Sequence, residues 1–335
     1  MFSDIIRMYD RNFIIGFVLP TITSMFLGLL LYVIYYPSVS LYMGTSDAQV
    51  SLLANMKYII LWFQDVWTLF AVLLIIWLFS ILLMISNREL IRILEGYYFL
   101  NSPYLEKLPP KCIQLYRFKR MNGKTSELKE KKRFNNASPK EQKKYMKLRI
   151  ELSKKYPFEE KQILPTSFGN SIKAFEVYPL KVYGFDAIPV WPRILFLLPD
   201  NVKDKLNASK ACVDFAVNMT YLLSIIFIEY VVLAYINNDI KTFLIPVIIL
   251  LFIILSYKFA LISVLEWGDV VKAIFDVYSN TLLSEMRLKN PTNWNEKRKV
   301  WTSLSQVFIY RIPPEDVNLE LDPLPKSISN DDKKH

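Results

Sequence analysis

The chain has 335 residues, 41 Lys+Arg against 31 Asp+Glu, 53% hydrophobic residues and only eight Gly. A mean hydropathy of +0.22 beside 21% charged residues requires the apolar residues to be segregated, as they are in an integral membrane protein. The only histidine is His335, Cys112 and Cys212 lie far apart, and no glycines cluster. The sequence therefore offers no histidine base, Ser-His-Asp triad, Cys/His metal site or nucleotide loop, and it reads as a non-enzyme without cofactor or metal.

Residues 1–12 form a short stub carrying Arg7 and Arg11. Residues 13–36 hold no charge and, at ~1.5 Å per residue, are long enough to cross a ~30 Å hydrocarbon layer. Pro20 falls near the middle of this span, and the hydroxyls of Thr21, Thr23 and Ser24 are candidates to cover the carbonyl it leaves free. A second span covers 66–86, with its helix expected to begin before Asp65, so that 13–86 is a hairpin with an external connection at 37–65. Residues 87–98 (NRELIRILEGYY) should continue it as an amphipathic helix with Leu90, Ile91 and Leu94 on one face.

Residues 87–211 are expected to form a basic cytoplasmic domain, with 26 Lys or Arg. Within it, 107–161 carries 18 basic residues against six acids, Lys131, Lys132, Arg133, Lys143 and Lys144 among them. Such a run fits contact with anionic lipid headgroups or a cytosolic protein partner; it equally fits a solvated loop obeying the positive-inside bias. Tyr116, Phe118, Phe134 and Tyr145 are not organised into a nucleic-acid recognition pattern. Ser138-Pro139-Lys140-Glu141 reads as an N-cap, Pro at N1 and a capping-box Glu, opening a helix that ends before Pro157. Residues 164–199 form a juxtamembrane segment: a helix capped by Thr166 or Ser167, a turn at Tyr183–Asp186, and an apolar run too short to span. In that run Trp191 and Arg193 suit the headgroup boundary.

The third and fourth spans, about 213–236 and 242–265, make a tight hairpin within 212–265. Residues 266–312 should continue as a helical extension, ending in a helix at about 295–311 with Val300, Trp301, Leu304, Val307 and Phe308 on one face. Its Glu266, Asp269, Lys272 and Asp276 share a helix face and are expected to pair with basic loops. Residues 313–335 are polar and Pro-containing and read as disordered. Lys and Arg are sparse in the two short connections and dense elsewhere, which places both termini in the cytoplasm.

Polar residues inside spans are the candidate pore-lining set: Asn218 and Glu229 in the third, Ser256 and Lys258 in the fourth. A carboxylate in hydrocarbon is expensive, so Glu229 should face a cavity, a polar partner or a subunit interface. Lys258 also fits snorkelling to the headgroups.

The stretches LPTSFGN, YGFDAIPVWPR and DVYSNTLLSEM…NEKRKVW resemble a bacterial family of multi-pass membrane proteins without an assigned activity, over residues 164 to about 310. The resemblance implies an inner-membrane location and an architecture, and it carries no site residues. The fold expected is all-α, with four transmembrane helices and a helical cytoplasmic domain. The function expected is a homo-oligomeric channel or pore in the lipid bilayer, gated through that domain. The alternative is a non-enzymatic membrane scaffold recruiting cytosolic partners or anionic lipids through its basic loop.

Overall fold

A computed structural model describes residues 11–35, 65–100, 109–133, 137–237, 244–289, 291–317 and 319. The external connection before Asp65, the turn after Asn237 and nearly all of the expected disordered tail lie outside the described residues. Every regular element among them is a helix. In chain order α1 comprises Arg11–Phe13, a π-helical stretch Ile14–Val18 and Leu19–Tyr35; α2 is Val66–Glu95, α3 Pro109–Arg133, α4 Pro139–Lys155 and α5 Ser167–Glu176. Then follow α6 (Tyr178–Val182), α7 (Ala187–Leu197), α8 (Asp200–Asn237), α9 (Leu244–Glu285) and α10 (Trp294–Tyr310). Four stretches are long and apolar enough to cross a membrane: Arg11–Leu29, Val66–Glu95, Asp200–Val232 and Leu244–Glu285. The chain is thus an all-helical protein with four candidate membrane-spanning helices, and it divides into two units, residues 1–106 with 207–264 and residues 107–206 with 265–335.

In the first unit α8 is the central helix. Ala211, Val213, Ala216 and Val217 are buried on it, followed by Met219 and Leu223. Further along, Ile226 and Tyr230 of α8 pack on Ile249 of α9, with Leu27 of α1 against them. In contrast, α2 turns most of its apolar side chains outward, Trp67, Phe70, Leu73 and Ile85 among them. In water such a face would drive aggregation; in lipid it needs no cover. Helix α2 starts at Val66, later than its apolar lead-in suggests, because Asp65 is extended and its side chain accepts from Thr68 N at 3.1 Å. It ends at Gly96, whose φ of 89° supplies the left-handed C-cap.

Helices α3 and α4 of the second unit form a hairpin, joined through Phe118, Tyr156 and Ile163. The expected capping box is formed: Ser138 Oγ accepts from Glu141 N and the Glu141 carboxylate accepts from Ser138 N at 2.9 Å. Those hydrogen bonds, with Lys131 beside it, hold the Glu141 carboxyl below the ordinary range. Thr166 caps α5 through Gly169 N at 2.9 Å. Buried Asn170 ties down the loop before it, accepting from Leu164 N and donating to the carbonyls of Leu164 and Thr166. The apolar centre gathers Phe185 against Trp301 (ring centroids 4.3 Å) and Phe275 (5.7 Å).

Candidate functional site

A buried polar cluster lies inside the first unit, and α8 supplies its spine. Lys210, Asp214 and Asn218 are each four residues apart, so they stack on one helix face. Lys210 Nζ reaches both carboxylate oxygens of Asp214, at 2.9 and 2.8 Å. Asn87 near the end of α2 donates its Nδ2 to Asp214 Oδ1 at 2.8 Å. A buried carboxylate is tolerable only when paired and hydrogen-bonded, and this one is both.

One turn further along α8, Asn218 Nδ2 donates to the carbonyl of Gly16 at 2.8 Å. Pro20 has no N–H to offer the carbonyl four residues before it, which is that of Gly16. The neighbouring hydroxyls do not cover it: Thr21 donates to Phe17 O, Thr23 to Leu19 O and Ser24 to Thr21 O. The sequence expectation that these hydroxyls would serve is therefore corrected; they serve their own turn of helix, and a side chain from α8 reaches the freed carbonyl. Gly16 also allows the two helices to close up, since a Cβ there would stand 3.3 Å from Asp214 Cβ. The local π-helical stretch, with Leu19 N bonded to Ile14 O, accompanies this contact.

The amide oxygens Oδ1 of Asn87 and Asn218 are buried and accept no hydrogen bond. Two orphaned acceptors beside a paired carboxylate make a place where a water or a small donor would be stabilised. Further polar contacts extend along the bundle. Thr220 Oγ1 donates to Ala216 O at 2.7 Å and meets Ser256 Oγ at 3.1 Å; Ser80 meets Thr21 Oγ1 at 3.4 Å. Among the described residues no three His, Cys, Asp or Glu side chains stand close enough to hold a metal ion.

The four pore-lining candidates divide into two pairs. Asn218 is fully buried, and Ser256 donates to Ala216 O at 3.1 Å, so both work inside the protomer. Glu229 and Lys258 are exposed on the outer surfaces of α8 and α9. Glu229 and Asp214 lie 15 residues apart on one helix, about 22 Å, and do not converge.

Of the basic candidates, Lys131 sits 3.4 Å from Glu127 and 3.3 Å from Glu141, whose carboxylates raise its pKa. Lys132 lies over the Tyr145 ring, and Arg133, Lys143 and Lys144 are exposed. Trp191 packs on Phe275 with ring centroids 5.3 Å apart. The Arg193 guanidinium stacks 3.7 Å from the Phe308 ring centre and donates to Pro189 O, tying α7 to α10. On the acidic stripe of α9, Asp269 pairs with Lys154 of α4 as expected, while Asp276 accepts from Tyr178 and Tyr183 at 2.8 and 2.7 Å.

Sequence reasoning did not assign Gly16, Asn87 or Lys210 to the cluster. The usable signals were the four-residue ladder Lys210–Asp214–Asn218 and the four-residue step back from Pro20 to Gly16. No protein-family model, no curated protein and no solved structure matches the chain.

Proposed function

We propose that this protein is a homo-oligomeric membrane channel whose pore forms between protomers, with Glu229 at its lining. The observation that carries the reading is the setting of that side chain: exposed on α8 beside Ile225, Ile228 and Val232, which are 62%, 63% and 51% exposed. A charged side chain at the centre of a span costs about 3 kcal/mol even on the mildest scale, and Glu229, about 7 Å outward of the middle of residues 213–236, bears part of that cost in a lone protomer. A second copy covering this face, or a wet path between copies, removes that cost. Rings of carboxylates favour cations, so the permeant species is a cation.

Lys258, exposed on α9 among Leu255 and Phe259, lies nearer the cytoplasmic side and modulates conductance or snorkels to headgroups. Asn218 and Ser256 hold the bundle together in this reading and stay out of the pore. The distribution of Lys and Arg supports a cytoplasmic position for both termini and for the unit containing α3–α7 and α10. That unit controls opening.

A second reading, a scaffold for cytosolic partners or anionic lipid, is favoured by one feature: the α3–α4 hairpin turns Arg133, Lys143, Lys144 and Lys147 outward. The two are separated in reconstituted vesicles by comparing Glu229→Gln with a deletion of residues 129–155. The channel reading expects cation flux to change with Glu229→Gln and to survive the deletion. The scaffold reading expects no flux in any form, and binding to anionic vesicles that disappears with the deletion.

A further inference from the structure

Helix α7 turns its one charge inward. Val190 and Ile194 are fully buried, Trp191 packs on Phe275 of α9 with ring centroids 5.3 Å apart, and the Arg193 guanidinium lies 3.7 Å from the Phe308 ring centre of α10. Arg193 also donates to the carbonyl of Pro189. Trp191 and Arg193, the two residues whose types suit a headgroup boundary, are thus engaged with the protein, and their packing fixes the rotation of α7. The face left over is Ile188, Pro192 and Phe196, four residues apart and so aligned along one side. All three are exposed, Ile188 at 65% and Phe196 at 86%, and none carries a charge or a hydrogen-bonding side chain.

The position and make-up of α7 say what covers this ridge. Within the second unit it rests on the part of α9 that has just left the apolar run: Trp267 and Val271 share one wall with Ala187, Ile188 and Trp191. Those two residues lie only about 3 and 9 Å past Leu265 along the helix axis. At its other end α7 leads through Pro199 into α8, which holds another candidate span. With 11 residues α7 is about 16 Å long, too short to cross a bilayer and suited to lying along its surface. Pro192 offers no N–H to the Ile188 carbonyl four residues back, a group that water at a membrane interface can serve and hydrocarbon cannot. The ridge itself presents no polar group by which a protein partner would be oriented.

We propose that α7 is an interfacial membrane anchor, lying in the headgroup boundary with Ile188, Pro192 and Phe196 immersed in lipid and tied to the second unit through Trp191 and Arg193. The inference rests on α9 crossing the membrane and is independent of channel activity. Because the ridge carries no cation, the attraction is apolar. It therefore differs in kind from contact of the basic α3–α4 hairpin with anionic headgroups.

The test uses the full chain, with Cys112 and Cys212 replaced by serine, in phosphatidylcholine nanodiscs. Ile188→Cys and, separately, Phe196→Cys carry an environment-sensitive fluorophore. Quenching is read with phosphatidylcholine spin-labelled near its ester groups and with aqueous iodide. Ile262→Cys, exposed within the apolar run of α9, sets the lipid reference; Asn280→Cys, exposed about 22 Å beyond Leu265, sets the aqueous one. Both α7 positions should be quenched by the spin-labelled lipid within about twofold of Ile262, with iodide quenching several-fold below that at Asn280. Ile188→Asp should return the Phe196→Cys label to iodide and leave both references unchanged, which reports an intact protein. Adding phosphatidylglycerol should alter none of these values. Iodide quenching at α7 equal to that at Asn280 would overturn the proposal. Protection from both quenchers would also overturn it, because a second copy or another protein would then cover the ridge. Lipid quenching that appears only with phosphatidylglycerol would overturn it too, and would assign the contact to the basic hairpin.

Discussion

Asn218 shows how one side chain can decide a helix contact. Its amide donates to the Gly16 carbonyl that Pro20 deprives of a partner. Asn218→Ala should destabilise the protein by about 1–3 kcal/mol, the cost of leaving a buried carbonyl unsatisfied. Thermal unfolding in detergent measures it, and Ser256→Ala is the milder control, because the Ala216 carbonyl it contacts also accepts from Thr220. Two tyrosines give a pH signature in the other unit. Burial, and then the neighbouring Asp276, push Tyr178 from 10.0 up to about 12 and raise Tyr183 in the same direction. A pKa raised by folding contributes stability that is complete below the unfolded value of about 10 and declines as pH rises toward the folded value. Stability of this unit should therefore fall between about pH 10 and 12, and Tyr178→Phe together with Tyr183→Phe should flatten that decline. A denaturation midpoint followed against pH by tryptophan fluorescence checks it; an unchanged slope in the double variant would exclude these groups as its origin.

Among the helices, those with local punctuation were legible before any coordinates. Ser138 and Glu141 announced α4, Thr166 or Ser167 announced α5, and the turn at Tyr183–Asp186 came before α7, because capping chemistry is written within a few residues; the separate α6 was not expected. Ser138→Ala should accordingly loosen the first turn of α4 by about 1 kcal/mol, seen as faster amide exchange over residues 139–143 with α5 unaffected. The start of α2 was misplaced because YIILW continues the apolar run, while Asp65 ends it by capping Thr68. What the sequence did not display was rotation. Asn218 and Glu229 are both polar residues of one span, yet the first faces the protomer interior and the second faces out. That difference is set by which neighbours α8 packs against, and Gly16 and Asn87 come from distant parts of the chain. Charge periodicity on α9 pointed to pairing with the basic region as a whole; Asp269 meets Lys154 of it, whereas Asp276 accepts from Tyr178 and Tyr183.

For the whole molecule, the outward charge at Glu229 has a consequence for assembly. If copies cover that face of α8, neighbouring positions on it approach their counterparts. With the native cysteines replaced by serine, Ile228→Cys should yield a disulfide-linked dimer on mild oxidation in membranes, whereas Leu78→Cys on the exposed apolar face of α2 should remain monomeric. Equal cross-linking at both positions would mean that the α8 face has no special contact. The distribution of exposed side chains supports the same division: residues 66–86 of α2 carry no charge, whereas within the apolar stretches of α8 and α9 Glu229 and Lys258 are exposed.

The account turns on whether Glu229 borders an ion path, and single-channel recording in planar bilayers under a potassium chloride gradient addresses this directly. The wild-type chain should give discrete currents with a cation-selective reversal potential. Glu229→Gln should shift that potential toward zero, and Lys258→Gln should leave the sign of selectivity intact. Currents with the same reversal potential in wild type and Glu229→Gln would contradict the assignment of this residue to the pore. No currents from the wild type or from a variant lacking residues 107–161 would contradict the channel itself.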